Sequence, residues 1–281
     1  MGVDLHIHTT ASDGTLEPAQ VVREASRAGL TAIAITDHDT MSGVAEAMLT
    51  GREEGLDVFP GVEISCELRH TDVHILGYFV LEGDDALSAA LQQVRASRLD
   101  RVDKIVRRLQ ALGVSIATRD VASVARGASV GRPHVAAALV ACGAVATQKE
   151  AFRRYLRRGK PAYVDRHRVL PQEAIRLIHL SGGLPVLAHP GLGCSDRTVR
   201  DMVRLGVEGL EAYHVDHTAG DTSRYLRMAE ELGLLVTGGS DSHGPGGPSP
   251  VRVGQVHVPD ECATHLKAWA AAHGRWPMQT H

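Results

Sequence analysis

Side chains that bind metal ions recur in short clusters along this chain, and each cluster follows or ends a short apolar run. Such runs, rich in Val, Ile, Leu and Ala and bounded by Gly, Pro, Ser or Asp, are typical of buried parallel strands. When parallel strands close into a barrel, the residues at their ends meet on one face, where active sites of that architecture lie. The pattern therefore indicates a multinuclear metallohydrolase. The clustered residues are His6, His8, Asp13, His38, Glu63, His74, His189, Asp241 and His243.

The spacing of His6 and His8 has a physical reason. Side chains two residues apart on a strand point the same way, so both imidazoles can reach one ion. Imidazoles mixed with carboxylates suit Mn²⁺, Zn²⁺ or Fe²⁺, and a carboxylate such as Glu63 can bridge two cations. The chain contains 16 histidines, and one such pair alone would more often be ordinary surface or core histidines. The recurrence of ligand-type residues at several strand ends favours metal binding instead.

Apolar runs alternate with amphipathic helical segments in the first and last parts of the chain, but not in the middle. Two strand-like segments lie close together around a turn at Arg69–Asp72, which predicts a hairpin. The middle of the chain is helical and rich in arginine, and β/α alternation resumes near Pro171. We therefore predict a barrel formed by residues 1–82 and 166–281, interrupted by a helical insertion domain over 83–165.

Composition fits a globular protein and excludes some classes of partner. With 281 residues, 43% of them hydrophobic and 22% charged, the chain can bury a sizeable core. A net charge of −3 and a pI near 6.6 argue against electrostatic coating of long nucleic acids. No apolar stretch approaches a membrane span, so we expect no membrane partner. Widely spaced cysteines without a CxxC pair predict free thiols in a reducing cytoplasm, namely Cys66, Cys142, Cys194 and Cys262.

Successive segments of the chain resemble one known family. DLHIHTTASDGTLEP, ITDHDT, GVEIS, HILGYF, AHPG and GGSDSHG resemble, in this order, the motifs of the PHP (polymerase and histidinol phosphatase) superfamily. The segments GRPHVAAALVACG and AFRRYLRRGKPAYV resemble the branch that dephosphorylates 3′,5′-nucleoside bisphosphates. The resemblance covers nearly the whole chain. It implies an α/β fold, a distorted (β/α)7 TIM-like barrel with a helical insertion domain.

The resemblance also implies how the ligands divide among two to three divalent ions, most simply Mn²⁺, with Zn²⁺ or Fe²⁺ as alternatives. Matching positions place the first ion between His6, His8, Glu63 and Asp241. Glu63 then bridges to a second ion, which is held by His74 and His189. A third ion is assigned to Asp13, His38 and His243, although many relatives have a histidine in place of Asp13. Asp37 and Asp39, which flank His38, either orient imidazoles or belong to turns.

The insertion is expected to recognise the substrate. Arg132, His134 and Lys160 lie in segments broken by Gly and Pro, which predicts helix ends or loops. An arginine forks onto a phosphate and a lysine acts as a point charge, so these residues suit a non-reacting 5′-phosphate. His214 follows a predicted barrel strand and could contact the leaving group or the phosphate, or be a structural histidine. Glu63, His189, Asp241 and His214 are the expected catalytic residues.

We expect a phosphoesterase that removes the 3′-phosphate of nucleoside 3′,5′-bisphosphates, for example converting adenosine 3′,5′-bisphosphate to AMP and phosphate. A metal-bound hydroxide would attack phosphorus while the cations neutralise the developing charge. The alternatives are a 5′-to-3′ exonuclease on short RNA or DNA, a histidinol-phosphate phosphatase, a carbon–nitrogen hydrolase and a non-catalytic metal-binding module. The GRPH and RGKPAY segments favour a small nucleotide as the partner. The oligomeric state stays open.

Overall fold

The computed structural model describes residues 2–68, 71–81, 83, 85–125, 130–165, 169–247 and 251–276. The chain separates into two compact units. The barrel unit comprises Met1–Ala89 and Val169–His281, and the helical unit comprises Ala90–Arg168. The barrel unit is thus built from two separate stretches of the chain.

Seven strands form a single sheet in the barrel unit, in the order β1 to β7. They are β1 (Gly2–Ile7), β2 (Leu30–Ile35), β3 (Asp57–Leu68), β4 (Thr71–Tyr78), β5 (Leu184–Leu187), β6 (Gly209–His214) and β7 (Leu235–Gly239). The first strand also meets the seventh, because the Asp241 N–H donates to the His6 carbonyl at 2.9 Å and the His8 N–H donates to the Ser242 carbonyl at 2.9 Å. The sheet is therefore a nearly closed barrel, and the predicted fold class is confirmed.

Strand β4 is antiparallel to both of its neighbours, whereas the other strand pairs are parallel. The cause is the short connection from β3, since Leu68 pairs with Thr71 and strands joined by so few residues can only run antiparallel. The predicted hairpin is thus confirmed, but Thr71 and Asp72, expected in its turn, already belong to β4. Arg69 and His70 lie outside the described residues. Within this pair His74 lies opposite Ser65, on the same face of the sheet as Glu63.

Helices follow most of the strands. Those of the barrel unit are α1 (Pro18–Arg27), α2 (Val44–Glu54), α7 (Pro171–Leu180), α8 (Asp196–Arg204), α9 (Ala219–Leu232) and α10 (Asp260–Ala272). The long helix α3 (Asp85–Ala111) leads into the helical unit, which continues with α4 (Thr118–Ala125), α5 (Arg132–Ala141), α6 (Gln148–Ala151) and a π-helical turn over Phe152–Leu156. Helix α1 shows how the pattern works, because its buried residues fall at helical spacing: Pro18, Val21, Val22 and Ala25.

Each unit has its own hydrophobic core. Small and branched side chains such as Leu5, Ala34 and Val186 fill the barrel, and Leu109 and Leu139 belong to the core of the helical unit. The buried Tyr78 of the barrel donates its hydroxyl hydrogen to the Leu5 carbonyl at 2.7 Å, so its one polar atom is satisfied. In the part of the chain that the structure describes, no helix is both long and apolar enough to cross a membrane.

Candidate metal centre

One end of the barrel gathers histidines and carboxylates from β1, β2, β3, β4, β5 and β7 or from the turns that directly follow them. Their ligand atoms form three groups in which all atoms lie within 4.8 Å of one another. The first group is His6, His8, Glu63 and Asp241. The second is His38, Glu63 and His74, and the third is His8, Asp13, His38 and His243. Because Glu63, His8 and His38 each occur twice, the groups are contiguous.

The first group has the membership that the resemblance implied, and the other two differ in detail. His38 was expected with Asp13 and His243 alone, but it also belongs to the group of Glu63 and His74. His189 lies beside that group, with its Nε2 3.0 Å from Glu63 Oε1. The structure thus brings together all the side chains that the sequence suggested as ligands, with two histidines lying between groups.

Glu63 is the hub of the cluster, and it is almost fully buried in the middle of β3. Its Oε1 lies 2.7 Å from His74 Nδ1. Its other oxygen, Oε2, is 2.9 Å from His38 Nδ1 and 3.3 Å from His8 Nε2. One carboxylate therefore contacts histidines of every group, which is the geometry expected of a bridging ligand.

Several nitrogen and oxygen atoms of the described cluster have no aligned hydrogen-bond partner in it, and bound cations would provide them with a partner. Among the described residues, His38 Nδ1, Glu63 Oε2 and Asp241 Oδ1 are buried without an aligned hydrogen-bond partner. His6 Nε2 and His8 Nε2 face each other at 3.2 Å. Buried polar atoms normally have partners, and unsatisfied ones are costly. Divalent ions bound between these imidazoles and carboxylates would satisfy all of them at once.

Electrostatics within the metal-free cluster are strong. Burial alone raises the pKa of the Glu63 carboxyl, but the positive charges of His38 and His74 outweigh it and hold the pKa well below its usual range. Burial lowers the pKa of His8, but the carboxylates of Asp241 and Glu63, 3.0 and 3.3 Å from its Nε2, more than compensate and raise the pKa to about 10. The carboxylates are therefore ionised, and a cation that binds here must displace protons from histidines.

Backbone strain is concentrated at the same place. Of the non-glycine residues in the described ranges, only Asp39, Phe79, His189 and Asp241 have positive φ, at 54°, 59°, 23° and 51°. Two of them are candidate ligands and a third, Asp39, follows His38. Such conformations persist only where the surroundings enforce them, and they cluster at functional sites.

The turn after β1 is tied down by Asp37. Its carboxylate accepts hydrogen bonds from the Thr9 N–H at 2.7 Å and from the Ser12 hydroxyl at 2.5 Å. Ser12 Oγ in turn lies 3.4 Å from His8 Nδ1, so Asp37 reaches that imidazole only through Ser12. Asp39 accepts the Ser65 N–H at 3.0 Å. These contacts favour the turn interpretation of both aspartates over direct orientation of a ligand.

Strand β7 passes unusually close to β1 at Gly239. A Cβ atom at this position would lie 2.4 Å from both the Cβ and the backbone nitrogen of His6. Only glycine therefore allows the two strands to meet here with His6 in its observed place.

Glu211 is a buried residue of the site that the sequence did not suggest. It lies inside β6, where its carboxylate contacts the His6 imidazole and the His189 backbone. A glutamate in the middle of a run of buried strand residues is the signal that could have revealed it, because such a charge needs a partner.

His214 ends β6 and lies beside the ligands, with its Nε2 3.6 Å from Asp241 Oδ2. Its Nδ1 accepts the Asp216 N–H at 3.2 Å, so in the neutral ring the proton is carried on Nε2. Burial lowers the pKa of His214, but the nearby carboxylates of Asp241 and Glu211 raise it overall. The side chain is thus a proton donor aimed at the ligand cluster.

The predicted substrate residues lie in the helical unit. Arg132 begins α5, and its guanidinium lies 6.0 Å from the centre of the Phe152 ring and 5.9 Å from that of Tyr163. His134 Nδ1 accepts the Gly131 N–H at 3.1 Å, which leaves its Nε2 as the donor. Lys160 is exposed, in a turn where its N–H donates to the Arg157 carbonyl. All three lie at helix ends or in turns.

Comparison with known proteins identifies relatives over most of the chain. Residues 4–111 match the model of the PHP domain. The 3′,5′-nucleoside bisphosphate phosphatase of Chromobacterium violaceum is 33% identical over 87% of this chain and 88% of its own. The 5′-3′ exoribonuclease of Haemophilus influenzae is 34% identical over 87% of this chain and 90% of its own. A solved Bifidobacterium adolescentis structure, described as a metal-dependent phosphoesterase, aligns with a TM-score of 0.86 at 33% identity over 96% of each chain.

Proposed function

The chain belongs to the PHP domain family of metal-dependent phosphoesterases, and we propose that it removes the 3′-phosphate from nucleoside 3′,5′-bisphosphates. The observation that carries this proposal is the contiguous set of three ligand groups around Glu63. Divalent cations held by such a set would neutralise a phosphate monoester at several oxygens at once. The Chromobacterium relative, which is named for this reaction, supports the choice of substrate.

Divalent cations held by the three groups, Mn²⁺ in this proposal, would polarise phosphoryl oxygens and lower the pKa of a water molecule toward neutrality. The protein's own part is to hold and orient. Glu63 and Asp241 contribute negative charge that retains the cations, and the strained backbone at His189 directs its imidazole toward Glu63. His214 donates its Nε2 proton to a phosphoryl or leaving oxygen, because its other nitrogen is occupied by the Asp216 N–H.

We further propose that Arg132, His134 and Lys160 recognise the phosphate that does not react. Arg132 and His134 lie in the first turn of α5, where backbone N–H groups favour an anion. The aromatic rings of Phe152 and Tyr163 flank the Arg132 guanidinium and restrict its position. An ordered guanidinium, a histidine donor and an exposed lysine together suit a phosphate dianion.

A phosphate-release assay of the Mn²⁺-loaded protein tests the proposal. Adenosine 3′,5′-bisphosphate should be the preferred substrate over adenosine 3′-monophosphate and histidinol phosphate, and it should yield AMP. A chelator should abolish activity and added Mn²⁺ should restore it. The Asp241→Asn variant, which lacks a charged ligand of the first group, is the control for contaminating phosphatase. Rapid cleavage of histidinol phosphate with no reaction of the bisphosphate would refute the substrate assignment.

Exonuclease activity is the second candidate, because the Haemophilus relative is named for it. Hydrolysis of a phosphodiester would need cations held by the same ligands, and it differs in that the substrate is a longer oligonucleotide. A 5′-phosphorylated trinucleotide separates the two possibilities. Stepwise release of mononucleotides, at a kcat/KM above that for the bisphosphate, would make the exonuclease the better description.

A further inference from the structure

Glu211 of β6 is completely buried, with 0% of its surface exposed, and no step of the proposed reaction uses it. A buried carboxylate needs hydrogen bonds to compensate for lost hydration. Both oxygens of Glu211 make polar contacts with candidate ligands. Oε1 lies 3.1 Å from His6 Nδ1, and Oε2 accepts the His189 N–H at 2.7 Å. We propose that Glu211 is a positioning residue that aligns His6 and His189 for metal binding. The inference rests on the metal centre of the proposed function, but not on its substrate.

The contact with Glu211 Oε1 determines which ring nitrogen of His6 carries the hydrogen. A carboxylate can only accept, so the hydrogen between the two residues is carried on His6 Nδ1. In the neutral ring, Nε2 then offers a lone pair. This nitrogen points into the first group, 3.4 Å from both Glu63 Oε2 and Asp241 Oδ1. Glu211 therefore selects the tautomer that can bind an ion.

The second contact holds a strained loop. His189 lies two residues after the end of β5 with φ at 23°, a conformation that needs support from its surroundings. The charged acceptor on its N–H provides that support. Two residues later the Gly191 N–H donates to His217 Nε2 at 3.1 Å, so the loop is held both by β6, through Glu211, and by the segment that follows β6, through His217. Of these two contacts, the one with Glu211 is made by the candidate ligand His189 itself.

Replacement by glutamine separates these effects from simple packing, because Glu211→Gln keeps the size of the side chain. The amide has one oxygen and one NH₂ group. If the oxygen accepts the His189 N–H, the NH₂ group faces His6 Nδ1. That nitrogen must then accept, and the His6 proton moves to Nε2, where it blocks the ion. Glu211→Asp keeps the charge but is too short to reach both partners. Each change should weaken the binding of the ions next to His6 and His189.

The test is Mn²⁺ binding, followed by the electron paramagnetic resonance signal of free Mn²⁺, in wild type, Glu211→Gln and Glu211→Asp. Circular dichroism of the metal-free proteins tests whether each of them is folded. We expect both variants to bind the ions about 10–100-fold more weakly. The matched control is Glu208→Gln, just before β6, whose side chain is 42% exposed and bonds to Trp269 away from the ligands. It should bind Mn²⁺ as the wild type does.

Each outcome decides a different point. If wild type binds no Mn²⁺, the proposed metal centre itself is wrong. If wild type binds and the folded Glu211 variants bind equally well, only the positioning role is refuted. An equal loss in Glu208→Gln also refutes it, because the effect would then be general. Should Glu211→Gln not fold, Glu211→Asp decides by the same criterion. Failure of both to fold would assign Glu211 to the barrel rather than to its ligands.

Discussion

Replacing Gly239 by alanine tests whether the close approach of β7 to β1 sets the position of His6. The new Cβ would lie 2.4 Å from His6 Cβ and 2.4 Å from its backbone nitrogen. Carbon atoms in contact prefer separations of about 3.5–4.0 Å. The strands must therefore separate by about 1 Å at this point, and the hydrogen bond from Asp241 to the His6 carbonyl must lengthen.

The structure gives the size of both effects. Overpacking of a buried position costs about 1–3 kcal/mol of the free energy of unfolding, a fraction of the total of about 5–15 kcal/mol, so Gly239→Ala should still fold. A displacement of about 1 Å at a catalytic group costs about 100-fold in rate. Because His6 belongs to the first ligand group, we expect a similar loss in kcat/KM together with weaker Mn²⁺ binding.

Chemical unfolding, Mn²⁺ titration and steady-state kinetics on the same preparations measure the three effects. Gly2→Ala is the matched control, because it lies on β1 and its Cβ would find its nearest neighbours at 3.8 and 3.9 Å. It should be close to wild type in all three assays. A Gly239→Ala protein with wild-type Mn²⁺ affinity and kcat/KM would show that His6 tolerates the shift, and the reasoning would be wrong.

Three other predictions concern the ligands and the substrate. Glu63→Gln should remove most bound metal, whereas Asp13→Asn should lose at most one ion per chain, as elemental analysis can establish, because Glu63 contacts every group. The pKa of His8 is raised to about 10 in the metal-free protein, so the ring is protonated at pH 8 and must release its proton to bind an ion. Mn²⁺ affinity should accordingly rise with pH toward that value, and calorimetry in buffers of different ionisation enthalpy should detect proton release; affinity independent of pH would contradict this. Arg132→Ala should lower kcat/KM for the 3′,5′-bisphosphate by an amount that corresponds to about 1.5–3 kcal/mol of lost transition-state stabilisation, the contribution of a charge-assisted hydrogen bond. The kcat/KM for the 3′-monophosphate should stay nearly unchanged. Equal losses on both substrates would contradict the assigned role.

Much of the fold could be predicted because its local signals agree. Runs such as LPVL, which are buried along their whole length in β5, indicate strands by composition alone. Ligand-type residues two positions beyond such runs, such as His189 after β5 and Asp241 after β7, could be assigned to one end of the barrel, since parallel strands expose their ends together. The hairpin could be predicted because only a short connection separates the strand-like segments that form β3 and β4.

The remainder depends on three-dimensional distances that no local pattern contains. That His38 lies within reach of Glu63 follows from how the turn after β2 folds over β3, where the Asp39 N–H donates to the Glu63 carbonyl. Glu211 has no ligand-like motif around it, and its role depends on two partners that are distant in sequence. Its burial in β6 is the clue, and that clue becomes decisive only when the neighbours are known.

The hydrogen bonds that close the barrel join its first strand to the end of its last, from the Asp241 N–H to the His6 carbonyl and from the His8 N–H to the Ser242 carbonyl. A ribosome makes the chain from its amino end, so the two histidines emerge long before the carboxylate that completes their group. Contacts between such distant parts of a chain form late and slowly. A growing chain therefore lacks one of the four ligands of the first group for most of its synthesis. The first ligand group is therefore complete only when the end of the last strand has met the first.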